Sequence, residues 1–245
     1  MESGRCPVEI GKCGFFQKCA NAVLDILFPK ECLGCGAEDT YLCQRCSGRL
    51  PLLTEGWCPA CKAFSQNGEA HPSCRKSLTL GGVLAGAPYS ERMVRKIIGT
   101  LKYQSISELA LPLAELMARK VREHPFFLEE DWLLVPVPLH RKRFAERGFN
   151  QAELFCKHLA RLLGFHEERV LRRVSLRPPQ ATLGQEDRKV NIKNIFEADA
   201  GLIRGKKILL VDDVYTTGAT MNECARVLKN GGAREVWGLV AAMTQ

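Results

Sequence analysis

The sequence predicts an α/β protein, a doubly wound parallel sheet preceded by a small metal-knuckle domain, and three observations predict it. Apolar runs too short for helices, 131–140 (DWLLVPVPLH) and 208–211 (ILLV), are each followed by an amphipathic stripe at helical spacing. The alternation continues to a last run at 236–243 (VWGLVAAM), and strands buried on both faces give continuous rather than alternating apolar runs. Of the 12 cysteines all but Cys156 and Cys224 lie before residue 75, so the front of the chain differs in kind from the rest.

At that front Cys6, Cys13 and Cys19 have no ligand spacing and read as ordinary thiols. Within a first segment, 1–31, Ala20, Val23, Leu24 and Leu27 form a short amphipathic stripe, a core or docking helix that stops at Phe28 and Pro29. Then come Cys32-x-x-Cys35, Cys43-x-x-Cys46, Cys58-x-x-Cys61 and His71-x-x-Cys74. A two-residue gap puts two ligands on one ion in a tight turn, and zinc takes four such ligands tetrahedrally, so about two zinc ions per chain are expected. Spacing leaves sequential and interleaved pairing open. Sequential pairing is the expectation, an all-cysteine site from the first two pairs and a three-cysteine, one-histidine site from the last two. Disulfides compete with this reading but need an oxidising compartment, and the sequence opens on no secretion signal. Residues 32–78 are short of apolar periodicity, so metal stands in for a core there. The composition changes around 77–82, and a third unit is drawn over 79–245.

The run 82–90 (GVLAGAPYS) reads as an edge strand, and Val94, Ile97, Ile98 and Leu101 share one face of the helix after it. A second helix covers 106–121, with Pro112 either kinking it or marking its true start. The strand within 131–140 is buried, and Pro136 and Pro138 stop regular pairing at its carboxyl end. A helix then aligns Gln151, Leu154, Phe155, His158 and Leu162. Residues 172–196 are polar, carry Pro178 and Pro179 and lack periodicity; a segment that long without a pattern of its own reads as a functional lid. After the strand at 208–211, Met221, Cys224, Ala225 and Leu228 form the stripe of a helix laid on the sheet, and Gly231 and Gly232 end it.

Between that strand and helix stands DDVYTTGAT, 212–220. A strand's carboxyl end meets a helix's amino end here, which is where open α/β sheets bind ligands and where free backbone N–H groups attract phosphate. Gly218 permits close backbone approach, while Thr216, Thr217 and Thr220 offer hydroxyls. Asp212 and Asp213 would repel a phosphate set directly against them, but they accept hydrogen bonds from sugar hydroxyls or help hold a metal. A sugar phosphate fits better than bare phosphate. The chain has no G-x-x-x-x-G-K-[ST] and no G-x-G-x-x-G opening a helix, which argues against P-loop and dinucleotide sites. An ordinary turn with acidic and threonine caps is disfavoured, because adjacent aspartates after four apolar residues are costly without a ligand or metal.

The segment ILLVDDVYTTGAT, 208–220, resembles the phosphoribosyl-pyrophosphate (PRPP) loop of type I phosphoribosyltransferases. The resemblance implies a type I phosphoribosyltransferase-like sheet with a flexible loop. In it Asp212 and Asp213 hold the ribose hydroxyls, and Thr216, Thr217, Gly218, Ala219 and Thr220 cradle the 5′-phosphate. A wider set resembles the ComF family, which includes competence proteins of naturally transformable bacteria: LFPKECLGCG (27–36), LCQRC (42–46), LKY (101–103), VPVPLH (135–140), RGFNQ (147–151), PQATL (179–183), Arg188 and Asn191. This second resemblance places a pyrophosphate loop at Val137, Pro138, Leu139, His140 and Arg141, where Arg141 and Lys142 neutralise charge. It makes Arg147, Gly148, Asn150 and Gln151 a family signature without stating what each does. Residues 173–191 become the closing loop, with Arg177, Arg188 or Lys189 over the leaving group. The expected catalytic residues are thus Asp212, Asp213, Arg177 and Arg188, and the expected ligands PRPP and magnesium. Two departures stand out. Thr216 occupies the place where hypoxanthine-type relatives carry an aspartate that serves the purine base, which argues against that substrate class, and Ser175 stands where threonine is expected.

Displacing pyrophosphate from ribose C1 passes through an oxocarbenium-like state, so the site must stabilise a departing polyanion and exclude water. Magnesium, held by pyrophosphate, sugar hydroxyls and a carboxylate, supports that departure. No residue names the acceptor. A net charge of +8, with clusters HRKRFAER (140–147) and RRVSLR (172–177), suits polyanions, whether PRPP or nucleic acid. The alternative function is therefore a non-catalytic module that binds single-stranded DNA of the uptake machinery, or docks a partner, through its zinc knuckles and basic face. Tyr41, Trp57 and Phe64 are the aromatics among the knuckles, a thin stacking platform. No run approaches 18 apolar residues, so a soluble, cytoplasmic protein without an integral membrane segment is expected.

Overall fold

The computed structural model describes residues 29–174 and 195–244. The stripe at Ala20, Val23, Leu24 and Leu27 and the lid residues Arg177, Arg188 and Lys189 lie outside the described residues.

Five strands, all parallel, form one sheet: β1 (Val83–Pro88), β2 (Trp132–Pro136), β3 (His166–Glu167), β6 (Lys207–Tyr215) and β7 (Glu235–Met243), in the order β1-β7-β6-β2-β3. A separate antiparallel pair joins β4 (Leu171–Arg173) to β5 (Phe196–Ala198) at the two ends of the expected lid segment. Successive side chains of a strand point to opposite faces, and here both faces are buried. Leu84, Leu134, Leu209 and Leu239 join one apolar layer with residues of α2 (Arg92–Tyr103), α3 (Ala110–Arg122) and α6 (Gln151–Leu163). Val83, Val135, Leu210 and Val240 join the other with α8 (Ala219–Asn230). Each fully buried aliphatic side chain of this kind stabilises the fold by about 1.5–3 kcal/mol. The sheet is doubly wound, as expected. The remaining helices are α1 (Gln44–Ser47), α4 (Pro125–Leu128), α5 (Arg141–Arg147) and α7 (Ala200–Ile203).

Four details sharpen or correct the sequence reading. The strand that begins as the apolar run 208–211 does not stop there: β6 continues through both aspartates, paired to β7 as far as Tyr215 and Met243. Its other edge loses β2 at Val211, because the β2 chain gives one more N–H, from Val137 to the Val211 carbonyl at 2.9 Å, and then meets Pro138, which has none. Of the two alternatives for Pro112 the second holds: it marks the start of α3, sitting in the first turn, where its missing N–H has no partner to lose. In α6 the fully buried set is Gln151, Ala152, Phe155, Cys156 and Leu159, with Leu154, His158 and Leu162 half-buried at the margin. The fourth is β3, two exposed residues with no apolar run to announce them.

From β2 the chain steps outward to β3, whereas from β6 it steps the other way to β7. The winding therefore reverses between the neighbouring carboxyl ends of β2 and β6, the place where such sheets open a crevice.

The cysteine-rich region covers the free edge of β1. The Leu53 N–H donates to the Gly86 carbonyl at 2.9 Å and the Ala70 N–H to the Gly81 carbonyl at 2.8 Å. Leu42 and Leu50 join the layer of α2 and α3, while Leu53 and Leu80 join the layer of α8. Gly82 lets the two regions meet: a Cβ there would stand 2.3 Å from the Trp237 ring and 2.7 Å from the Gly68 carbonyl. An unpaired edge strand is thus shielded.

Candidate functional site

At the switch point lies a cleft of about 730 Å³. Its two facing walls are the segments that follow β2 and β6. On the β6 side Asp212, Asp213, Thr216 and Thr220 line it, and Thr217, Gly218 and Ala219 complete the turn between them. On the β2 side Val137, Pro138, Leu139 and His140 line it. Arg141 instead lines a neighbouring hollow with Phe144 and Arg169, and Lys142 and Arg143 take the places facing the cleft.

The acidic pair sits just past the point where β6 has lost β2, and both residues line the cleft that opens there. The Asp213 N–H donates to Asp212 Oδ1 at 2.8 Å, and Lys102 Nζ, from α2, binds Asp213 Oδ1 at 2.7 Å. Both side chains of that ion pair are largely shielded, 18% and 13% exposed, so salt screens their attraction less than it would at an exposed pair. Burial pushes the Asp212 carboxyl up to about 7; the Asp213 charge adds to the shift, and the Asp213 N–H, Lys102 and Arg143 oppose it. Two adjacent carboxylates, one lifted by burial and by its charged neighbour, are a donor set that could hold a hard, oxygen-seeking cation such as magnesium.

Beyond the aspartates the turn delivers α8. Gly218 is its N-cap with φ 72°, a left-handed conformation that any side chain would strain. The glycine N-cap has no side chain to cap the helix, and the Thr217 hydroxyl accepts only from the Ala219 N–H, at 3.5 Å, so the next N–H groups, of Thr220 and Met221, face the turn as donors, the arrangement that attracts a phosphate.

The opposite wall explains the signature RGFNQ. Arg147 lies over the Tyr103 ring, 5.8 Å from its centre. Gly148 takes φ 78° to end α5. The buried Asn150 amide donates to the Val137 carbonyl at 3.0 Å, and its oxygen accepts from the Ala152 N–H at 3.1 Å, so one side chain both caps α6 and anchors the loop after β2. Gln151 lines the cleft behind it. The sequence reading missed Tyr89, Lys102, Arg143 and Arg173 as cleft residues. Lys102 lay within the motif LKY, and Arg143 and Arg173 within the two basic clusters, but nothing in a linear pattern aims them at one point. Tyr89 carried no signal at all.

The eight expected metal ligands fall into two groups, paired sequentially. Side-chain donors of Cys32, Cys35, Cys43 and Cys46 lie within 4.8 Å of one another, and so do those of Cys58, Cys61, His71 and Cys74. Tetrahedral zinc with bonds near 2.3 Å sets sulfurs about 3.8 Å apart. The Cys35 and Cys43 sulfurs stand 3.7 Å apart and Cys61 Sγ lies 3.4 Å from His71 Nδ1, so both donor sets fit the ion. Backbone N–H groups support the thiolates: Cys43 donates to Cys32 Sγ at 3.3 Å and His71 to Cys58 Sγ at 3.5 Å. Burial raises the Cys32 and Cys58 thiols, but the backbone donors around each outweigh it and bring both down to about 6. His71 Nε2 lies 3.0 Å from the Phe64 carbonyl, which orients the ring with Nδ1 toward the sulfurs.

Fold and site together define a phosphoribosyltransferase-type α/β protein with an N-terminal double zinc ribbon. Residues 150–242 match the phosphoribosyl transferase domain and residues 23–76 the double zinc ribbon domain. Competence protein F of Haemophilus influenzae is 30% identical over 225 residues, spanning 82% of this chain and 97% of that protein. The DNA utilization protein YhgH of Salmonella typhimurium is 33% identical over 218 residues, 80% of this chain and 95% of its own length. Competence protein ComFC of Streptococcus pneumoniae is 26% identical over 203 residues, 81% of this chain and 86% of that protein. The chain belongs to this family, the ComF family of Competence protein F and YhgH. Among the described residues no helix is long and apolar enough to cross a membrane.

Proposed function

We propose that this chain binds PRPP with magnesium in the cleft between β2 and β6 and transfers the phosphoribosyl group to an acceptor, in the cytoplasm and in the service of DNA uptake or utilization. One observation carries the reading: an adjacent aspartate pair, an uncapped helix amino end and a basic wall converge on a single cleft. The free N–H groups of α8 with Thr216 and Thr220 take the 5′-phosphate, and Asp212 and Asp213 accept from the ribose hydroxyls. The loop at Val137, Pro138, Leu139 and His140, with Lys142 and Arg143, receives the pyrophosphate. Magnesium bound by the ligand's oxygens and an aspartate neutralises the leaving group's charge. Arg173, at the end of β4, lines the cleft, and the family resemblance supports a role for Arg177 and Arg188, which lie outside the described residues, as its cover. The DNA link rests on what the relatives' names say of those proteins. Titration calorimetry with PRPP and magnesium tests the binding, and release of pyrophosphate in a screen of acceptors tests the transfer; no heat at millimolar PRPP would remove the reading.

A second reading, single-stranded DNA binding, is favoured by α5, which buries no residue, presents Arg141, Lys142, Arg143 and Arg147, and leaves Phe144 47% exposed. Alanine at Arg177 and Arg188 separates the two. A cover predicts weaker PRPP binding with unchanged DNA binding, whereas a DNA surface predicts lower DNA affinity and a salt slope reduced by roughly 0.7 per lost contact.

A further inference from the structure

The second zinc ribbon reaches the phosphate turn. In the Cys58–Cys61 knuckle the Cys58 N–H donates to the Ala63 carbonyl at 2.9 Å and the Lys62 N–H to the Cys58 carbonyl at 3.0 Å, and Lys62 takes φ 61°. The knuckle thereby fixes the direction in which the Lys62 side chain leaves it. Lys62 Nζ donates to the carbonyls of Thr216 and Thr244, each at 3.1 Å, and stands 4.9 Å from the centre of the Tyr215 ring. The Tyr215 hydroxyl in turn donates to the carbonyl of Pro59, inside the same knuckle, at 3.1 Å. That ring lies directly beneath the turn, since a Cβ on Gly218 would stand 2.0 Å from its hydroxyl. Lys62 and Tyr215 thus form a two-point clamp between a metal knuckle and the start of α8.

We propose that Lys62 is a positioning residue for the phosphate turn, through which the second zinc ribbon holds the peptide joining Thr216 and Thr217 in its anion-binding orientation. The proposal rests on the reading of this turn as the 5′-phosphate cradle. Its physical basis is the planar peptide: the described residues contain no cis peptide, and in a trans peptide the carbonyl and the following N–H point opposite ways. An ammonium that captures the Thr216 carbonyl on the ribbon side therefore turns the Thr217 N–H away from the ribbon, toward the side on which Thr216 and Thr220 line the cleft. Without it the Thr216 carbonyl keeps only the long contact from the Thr244 hydroxyl, at 3.5 Å, and the peptide rotates more easily; a carbonyl turned into the cleft would repel a phosphate. Tyr215 supplies the second hold by pinning the ring on which Gly218 rests.

Lys62→Met keeps the length of the side chain and removes its donors; Tyr215→Phe removes the other hold and leaves the knuckle's sequence intact. Both are made in the full chain and checked for native zinc content. Hydrogen exchange of the amides at 216–220 is expected to quicken about tenfold in Lys62→Met, and the dissociation constant for magnesium–PRPP to rise about tenfold, the loss of roughly one charged hydrogen bond. Lys62→Arg, which restores the donors, is expected to recover both values. Should Lys62→Met lose zinc, Tyr215→Phe carries the test with the same expected direction. Native exchange at these amides, or native PRPP affinity, in both variants would overturn the proposal. A native protein that binds no PRPP would overturn the phosphate reading itself, a result distinct from either.

Discussion

Asp212 and Asp213 look alike in the sequence and differ in the fold. Asp213 has Lys102 at 2.7 Å, whereas Asp212 lies deeper and its carboxyl is pushed up to about 7. The ordinary aspartate value is about 3.9, so between about pH 4 and pH 7 the folded chain keeps a proton that the unfolded chain has released. Stability therefore falls across that window as pH rises, and the full penalty stands above it. Asp212→Asn removes the titrating group. Its melting temperature is expected to exceed that of the native protein at pH 8, with the gap closing as pH falls toward 5; a gap that does not change with pH would contradict the buried-charge explanation. The same proton competes with magnesium, so binding of magnesium–PRPP by the native protein should tighten as pH rises through 7, whereas the Asn variant binds weakly throughout. Lys102→Met strips Asp213 of its partner at a site only 13% exposed, and is expected to cost about 1–3 kcal/mol in urea unfolding and to weaken PRPP binding as well.

At the scale of the element, two short segments make the site, one held by a side chain from another element and the other by a glycine of its own. The loop after β2 is fastened by Asn150 from α6, which also caps that helix. Asn150→Ala removes the cap and leaves the Val137 carbonyl without its donor, so a loss of about 2 kcal/mol is expected, with PRPP binding weakened more than helix content measured by circular dichroism. The turn after β6 depends on Gly218 at φ 72°, which the sequence reading had singled out for close approach. The long strands, the main amphipathic helices and the metal-ligand pairs were legible, because period and spacing are local signals: Val94, Ile97, Ile98 and Leu101 are buried together as their spacing implied, whereas the short strands β3, β4 and β5 carry no such signal. What was not legible is convergence. Lys102, Arg143 and Arg173 come from three elements that only the topology brings to one cleft, and no stripe or gap encodes that meeting. The continuation of β6 through its aspartates was hidden for a related reason, since it is held by pairing to β7, on the other side of α8, and not by an apolar run of its own.

At the scale of the whole molecule the zinc ribbons and the sheet share apolar layers. Leu42 and Leu50 contribute to one layer and Leu53 and Leu80 to the other, and the ribbon backbone covers the edge of β1. Zinc in the two donor sets would hold the ribbons in shape, since their own apolar content is small, and the sheet would then feel its loss through these shared residues. Metal analysis of reduced, desalted protein is expected to give about two zinc ions per chain; one or fewer would remove the histidine-containing site. Chelation is expected to unfold residues 32–74 and to lower the melting temperature of the sheet with them, since four buried leucines lose their setting and an unpaired edge strand is uncovered. The exposed edge should also make the metal-free chain self-associate, which light scattering during chelation would register. Two separate melting transitions, with the second unmoved by chelation, would show instead that the contacts across β1 add little and that the sheet stands by itself.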